Sequence, residues 1–245
     1  MKKTYKEVEV DSINPERDFN FMKKAANSGI EWAKYKLGIF YKEGYGVCQD
    51  YKSAFYWFEK AANAGDSLAQ YELGEFYKNG YGIPQDEKKA LYWYEKAANA
   101  GASKAQFKLG YMYYYGEVVS QDYEKAVYWY EKTANAGNEI AQRILGDMYY
   151  EGNEISKDYK KSFYWYEKAA NAGNTYSQYQ LGQMCYNGEG VSQNYEIAFN
   201  WYEKSAKKGN ISAQEKLSSM YRNGNGIKKS KKLAKYWERK SKENK

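Results

Sequence analysis

Few residues in this sequence could carry out nucleophilic chemistry. Ser205-Ala206-Lys207-Lys208 is a Ser-x-x-Lys arrangement, the kind that can make a serine acylatable when further groups complete the site. Those further groups, a Lys-Thr-Gly or a Ser-Asp-Asn, occur nowhere in the chain. The chain contains no histidine, which excludes Ser-His-Asp triads, Cys-His dyads and histidine-containing metal sites. Cys48 and Cys185 are the only cysteines and lack paired spacing, so neither a disulfide framework nor a cysteine metal site is expected. The Gly-x-Gly pairs Gly44/Gly46 and Gly188/Gly190 have no third glycine and no preceding strand, so they read as turn residues and not as a phosphate cradle. No catalytic, cofactor-binding or metal site is assigned, and the sequence reads as a binding protein and not as an enzyme.

The elements that hold these residues follow from a repeat. Trp57, Trp93, Trp129, Trp165, Trp201 and Trp237 recur at 36-residue intervals without an insertion. Leu37, Leu73 and their equivalents keep the same interval, as do Gly44, Gly80 and theirs. Within one unit Ala69, Leu73, Phe76 and Tyr77 share one face of a helix, here called helix A. Ala54, Trp57, Phe58, Ala61 and Ala62 form a second stripe, helix B, ending in small residues that permit close approach. Asp50, Asp86, Asp122 and Asp158, with Asn14, Asn194 and Ser230 in the same slot, precede each helix B as N-caps. Asp66, Asn138, Asn174 and Asn210 do the same for helix A, after a glycine suited to a left-handed C-terminal cap. Ile83 lies in the loop between A and B, where it can tuck back onto the pair. One such pair exposes its apolar stripe, so units must stack, with the tryptophans as the expected wedges. Ser205 falls in the slot of Ala61 and Ala97, a small core position.

Ala69, Leu73, Gly74, Tyr77, Gly80, Gly82, Asp86, Lys89, Ala90, Trp93, Tyr94, Lys96, Ala97, Ala98 and Gly101 resemble the Sel-one-like repeat family, relatives of the tetratricopeptide repeats. The resemblance covers about 14 to 241 of the chain. Departures are local: Val118 and Glu154 replace the second loop glycine, Cys185 the tyrosine, and Ser218 the glycine of helix A. The resemblance implies an all-α fold, a right-handed α-α superhelical solenoid of 36-residue helix-loop-helix repeats. It also brings in β-lactam or peptidoglycan chemistry, to which some secreted relatives have been linked, but Ser205 lacks the partners and the chain lacks their cysteine pairs. The expected organisation is a lead-in over 1–13 and a single solenoid domain over 14–245, made of a half repeat (14–29), six repeats (30–241) and a basic cap (228–245).

If the stack curves as tetratricopeptide folds do, helix A lines the concave side. Helix A residues outside the core stripe are then candidates for contact with a partner. One column is Tyr35, Tyr71, Phe107, Arg143, Tyr179 and Glu215; a second is Lys42, Lys78, Tyr114, Tyr150, Tyr186 and Arg222; a third is Ile39, Glu75, Tyr111, Asp147, Gln183 and Ser219. From these, Tyr35, Tyr71, Phe107, Tyr111, Tyr114, Arg143, Tyr150, Tyr179, Tyr186 and Arg222 are the candidate partner-binding residues. The sequence holds 30 tyrosines, and tyrosine buries a large area at low entropic cost while keeping a hydroxyl for hydrogen bonding. Packing between neighbouring A helices is the alternative role for the first column.

The formal charge of +7 is confined to one end, because 228–245 holds nine Lys and Arg against two Glu while the rest of the chain balances. The segment is a helix B by register, so it caps the stack with a polar outer face. The alternative to this cap role is a docking patch for an acidic protein, a nucleic acid or an anionic membrane surface. The first ten residues have charges every few positions and no apolar run of signal-peptide length, so neither secretion nor a transmembrane segment is expected. The expected protein is thus a cytoplasmic, monomeric adaptor or scaffold for a protein or peptide partner, without metal or cofactor.

Overall fold

The computed structural model describes residues 14–153 and 155–243. The lead-in 1–13, the loop substitution at Glu154 and the last two residues of the basic cap lie outside the described residues. Helices account for the regular structure: α1 Pro15–Asn27, α2 Glu31–Glu43, α3 Tyr51–Asn63, α4 Ser67–Asn79, α5 Glu87–Asn99, α6 Ser103–Tyr115, α7 Tyr123–Asn135, α8 Glu139–Glu151, α9 Tyr159–Asn171, α10 Thr175–Asn187, α11 Tyr195–Lys207, α12 Ile211–Asn223 and α13 Lys231–Glu243. Odd numbers are B helices and even numbers A helices, so the fold is an all-α solenoid of paired helix-loop-helix repeats.

The helix boundaries are set where the sequence places its caps. Asp50, Asp66, Asp86, Asp122, Asn138, Asp158, Asn174, Asn194 and Asn210 each accept a hydrogen bond from a free amide of the first turn. Each such cap contributes on the order of 1 kcal/mol. The A helices end on a left-handed glycine, as at Gly188 with φ 79°. The second loop glycine answers a different need: a Cβ on Gly190 would stand 2.3 Å from the Tyr159 carbonyl oxygen. At Val118 the same slot holds a valine with φ 66°, a conformation that branched side chains avoid.

A further column fastens the A helices α4, α6, α8, α10 and α12 each to the B helix before it. Gln70, Gln106, Gln142, Gln178 and Gln214 are buried and donate their side-chain amides to the carbonyls of Ala62, Ala98, Ala134, Ala170 and Ala206, at 2.9–3.1 Å. Those carbonyls belong to the last turn of a helix, where the only backbone donor is the N–H of the glycine that follows, at 3.0–3.1 Å.

The chain divides into two compact units, Met1–Leu109 and Gly110–Lys245. In the first, Phe19, Met22, Ala25, Ala26, Ala33 and Leu37 form a core against which Trp57 packs. A second core there, around Ala54, Phe58, Ala61, Leu73 and Phe76, receives Trp93. In the second unit, Tyr166, Ala170, Leu181 and Met184 pack with Trp201. Tyr202, Ala206, Ala213, Leu217 and Met220 pack with Trp237. Each of these tryptophans therefore reaches back onto the preceding repeat, which is the wedge role expected of them. The deepest aromatic is the next residue along: Phe58, Tyr94, Tyr130, Tyr166 and Tyr202 are at most 1% exposed.

Candidate functional site

Of the residues that could have done covalent chemistry, Ser205, Lys208 and Cys185 are occupied structurally, and Cys48 is an exposed thiol. Ser205 is fully buried and its hydroxyl donates to the Thr175 carbonyl at 2.8 Å. Lys208, the other half of the motif, donates to the Gly173 carbonyl at 2.8 Å. Cys185 is buried in the core, and burial pushes its thiol up to about 11, so it does not ionise near neutral pH. Among the described residues no group of three or more acidic, cysteine or histidine side chains could hold a metal. No helix there is long and apolar enough to cross a membrane.

The first candidate column serves packing to a large extent. Tyr35, Tyr71 and Tyr179 each lie half-buried with the ring against the deep aromatic of their own repeat, at 5.9 Å from Phe58, 5.9 Å from Tyr94 and 5.8 Å from Tyr202. Burial, with Glu72 and Asp66 nearby, pushes the Tyr35 hydroxyl up to about 12. Phe107 is half-buried on α6.

The second and third columns form an aromatic and polar surface on the A helices of the second unit. Tyr111 and Tyr114 flank the exposed Tyr115, with ring centroids 4.5 and 4.8 Å away, and Tyr114 also meets Tyr123 at 5.5 Å. Tyr150 packs on Tyr159 at 5.3 Å, and its hydroxyl donates to Glu189 Oε2 at 3.1 Å. Burial and that carboxylate push the Tyr150 hydroxyl up to about 12. Tyr186 packs on Tyr195 at 4.8 Å and accepts a hydrogen bond from Asn225 Nδ2 at 2.6 Å. Both hydroxyls thereby tie one repeat to the loop of the next, which fixes the rings. Arg222 is exposed and pairs with Glu238 of α13 at 3.2 Å.

Between α8 and α10 these columns meet a polar cluster. Arg143 pairs with Asp147 one turn along α8, and its guanidinium lies 5.7 Å from the centre of the Tyr176 ring. Asp147 also accepts from the Tyr166 hydroxyl at 2.6 Å. Burial raises the pKa of Asp147, against the opposing pull of Tyr166 and Arg143. The hydroxyl of Tyr176 accepts from Gln180 Nε2 at 2.6 Å, and Gln180 Oε1 accepts no hydrogen bond among the described residues. Tyr176 is 40% exposed, so a mobile partner could reach a ring that is already held in place. The first unit repeats one element of this: Tyr94 donates to Glu75 Oε1 at 2.6 Å.

Sequence reasoning did not single out Tyr176, Gln180 or Tyr115. The signal for Tyr176 was present in its register, since Trp32, Leu68 and Ile140 occupy the same slot and all are exposed. Large apolar side chains that recur outside the core stripe are a candidate contact column.

The repeat geometry agrees with the comparisons. The Sel1 repeat family model matches residues 33–66, 67–101, 103–138, 140–174, 175–210 and 211–244. The protective antigen c5321 of uropathogenic Escherichia coli strains, whose crystal structure displays an SLR fold, is 38% identical over 92% of this chain, with a TM-score of 0.79. This chain spans 48% of that antigen. The crystal structure of a Sel1 repeat protein from Oxalobacter formigenes is 30% identical, with a TM-score of 0.65, and the match covers 94% of this chain and 100% of that one. No curated protein matches the chain. Since the matched repeats run through nearly all of the described helices, the chain belongs to the Sel1 repeat family.

Proposed function

We propose that this chain is an interaction scaffold that holds an extended segment of a protein partner on the A-helix surface of residues 110–243. Sel1-repeat solenoids are typically non-catalytic scaffolds for protein–protein interaction, which gives the class of function. The choice of surface rests on one observation: Tyr176 is exposed yet anchored between the Arg143 guanidinium and Gln180. Anchored aromatics lose little entropy when a partner covers them, and this is the usual character of residues that dominate binding energy.

The test places a photoreactive phenylalanine analogue at Tyr176 or Tyr115 on the A helices, or at Tyr128 or Tyr164 on the B helices, in the native host. Crosslinks to one protein from the A positions and none from the B positions are expected. Capture from the B positions alone would overturn this choice of surface. Substituting Tyr176 by alanine in a folded protein should weaken that partner about tenfold or more.

A further inference from the structure

We propose that α13, with the loop before it, is a binding site for single-stranded nucleic acid. The first observation is the distribution of charge. In the second unit the B helices α7, α9, α11 and α13 carry thirteen basic against seven acidic residues, whereas the A helices α8, α10 and α12 carry three against four. The positive excess therefore lies away from the surface proposed for the protein partner, and most of it sits on α13.

The second observation is which charges remain unneutralised. Glu238 is shared by Arg222 and Lys242, and Glu243 by Arg239 and Lys240. Lys228, Lys229, Lys231 and Lys232 have no ion pair among the described residues. The surrounding cations hold the carboxyls of both glutamates below their ordinary range. A cap that served solubility alone could be met by mixed charges. A run of free ammonium groups instead suits a polymer bearing one charge per unit, because neutralising it releases condensed counterions.

The third observation is aromatic. Ala234 and Ser241 are the buried positions of α13, and Tyr236 is 41% exposed. At helical spacing Tyr236 stands one turn from Lys232 on one side and Lys240 on the other. Its ring meets Trp237 edge-on, with centroids 5.1 Å apart and planes at 77°, so the indole fixes its orientation, as the following tryptophan also does for Tyr56, Tyr92, Tyr128 and Tyr164. A fixed ring between two lysines offers a platform for a base and cations for the flanking phosphates. This combination selects among anionic partners: an acidic polypeptide has charge without a large planar ring in every unit, and a lipid surface would call for exposed aliphatic anchors, of which α13 has Leu233 alone.

The test is fluorescence anisotropy on the full chain with a labelled thymidine oligomer of about twenty nucleotides. Polyglutamate of similar charge and phosphatidylglycerol vesicles serve as competing probes. Binding of the oligomer at about 50 mM salt is expected, with a steep loss as salt rises. Lys231→Glu with Lys232→Glu should weaken it by about tenfold or more. Tyr236→Ala should weaken the oligomer by about fivefold and leave polyglutamate unchanged, while Tyr236→Phe keeps the affinity. Circular dichroism of each variant confirms that the helix content is retained. The proposal fails if the oligomer does not bind at low salt, or if the double charge reversal has no effect. It fails equally if polyglutamate or vesicles bind as well as the oligomer and Tyr236→Ala changes nothing.

Discussion

Gly146 of α8 lies directly beneath the ring of Tyr166 of α9, so close that a Cβ on Gly146 would stand 2.5 Å from Cδ1 and 2.6 Å from Cε1. The same pairing joins Gly38 to Phe58, Gly74 to Tyr94, Gly110 to Tyr130 and Gly182 to Tyr202. Where the glycine is replaced, at Ser218, the residue that would carry the ring is Glu238, and the serine hydroxyl instead donates to the Ala234 carbonyl at 2.9 Å. Within this one chain, then, the glycine and the ring are gained and lost together.

Gly146→Ala should destabilise the protein by about 1 kcal/mol. Helix propensity favours alanine by about 1 kcal/mol, and overpacking of a tight site costs about 1–3 kcal/mol. Overpacking wins because the Tyr166 hydroxyl is held at 2.6 Å by Asp147, so the ring cannot move aside without breaking that bond. Urea unfolding measures it, and a variant as stable as the parent would mean that the ring has room to shift.

Asp147→Asn should gain stability relative to the parent as the pH rises. Burial raises the pKa of Asp147 above 3.8 in the folded protein, so between 3.8 and its raised value the folded chain binds more protons than the unfolded one. Stability contributed at this site is then full below the unfolded pKa and lost as pH climbs through the folded one. Asparagine does not titrate, can still accept from Tyr166, and leaves Arg143 without its partner at a partly exposed position. The difference in unfolding free energy between variant and parent, followed from about pH 3.5 to pH 7, should move in favour of the variant. A trend the other way would show that the Arg143 ion pair outweighs the cost of burial.

Val118→Gly should stabilise the protein by about 0.5–1 kcal/mol. Valine at φ 66° bears a left-handed penalty of about 1–2 kcal/mol, and the added freedom of glycine in the unfolded chain returns part of that gain. Val118→Ala keeps the penalty and should gain little. Thermal melts of both variants test this, and equal midpoints would locate the gain in lost bulk and not in the backbone.

The repeat, the helix boundaries and the caps were legible because they depend on local chemistry: a capping side chain such as Asn174 acts on an amide three residues away, within reach of pattern reading. The tryptophan wedges were legible from their interval alone. The glycine beneath the following aromatic was not, because it depends on two residues twenty apart meeting at one spot, and the recurring Gly74 and Tyr94 read equally well as family signature. The glutamine column escaped for a similar reason: Gln70 looks like a polar surface residue until its amide is found against the Ala62 carbonyl. In the candidate site, Tyr150 and Tyr186 were placed by register, yet their hydroxyl partners, Glu189 and Asn225, lie 39 residues away in the next loop. Only the packed repeat distinguishes a tyrosine fixed by its neighbour from one turned to a partner.

Trp165→Ala should cost about 3–5 kcal/mol, as the loss of a large buried aromatic does, and Trp237→Ala about 1–2 kcal/mol. The two occupy the same slot of α9 and α13, so chemistry and helix propensity are matched, and only the surroundings differ. Trp165 is 5% exposed, and Lys168 folds over its ring at 5.9 Å. Trp237 packs on the Tyr202 and Leu217 core while one side stays half open to solvent, so its removal leaves less cavity and forfeits less transfer energy. Chemical denaturation of the two variants under one set of conditions measures the difference, with the denaturant slope showing whether unfolding remains cooperative. Equal losses would mean that the open side of Trp237 costs it no packing energy, and a larger loss at Trp237 would make the cap the interface that depends most on its tryptophan.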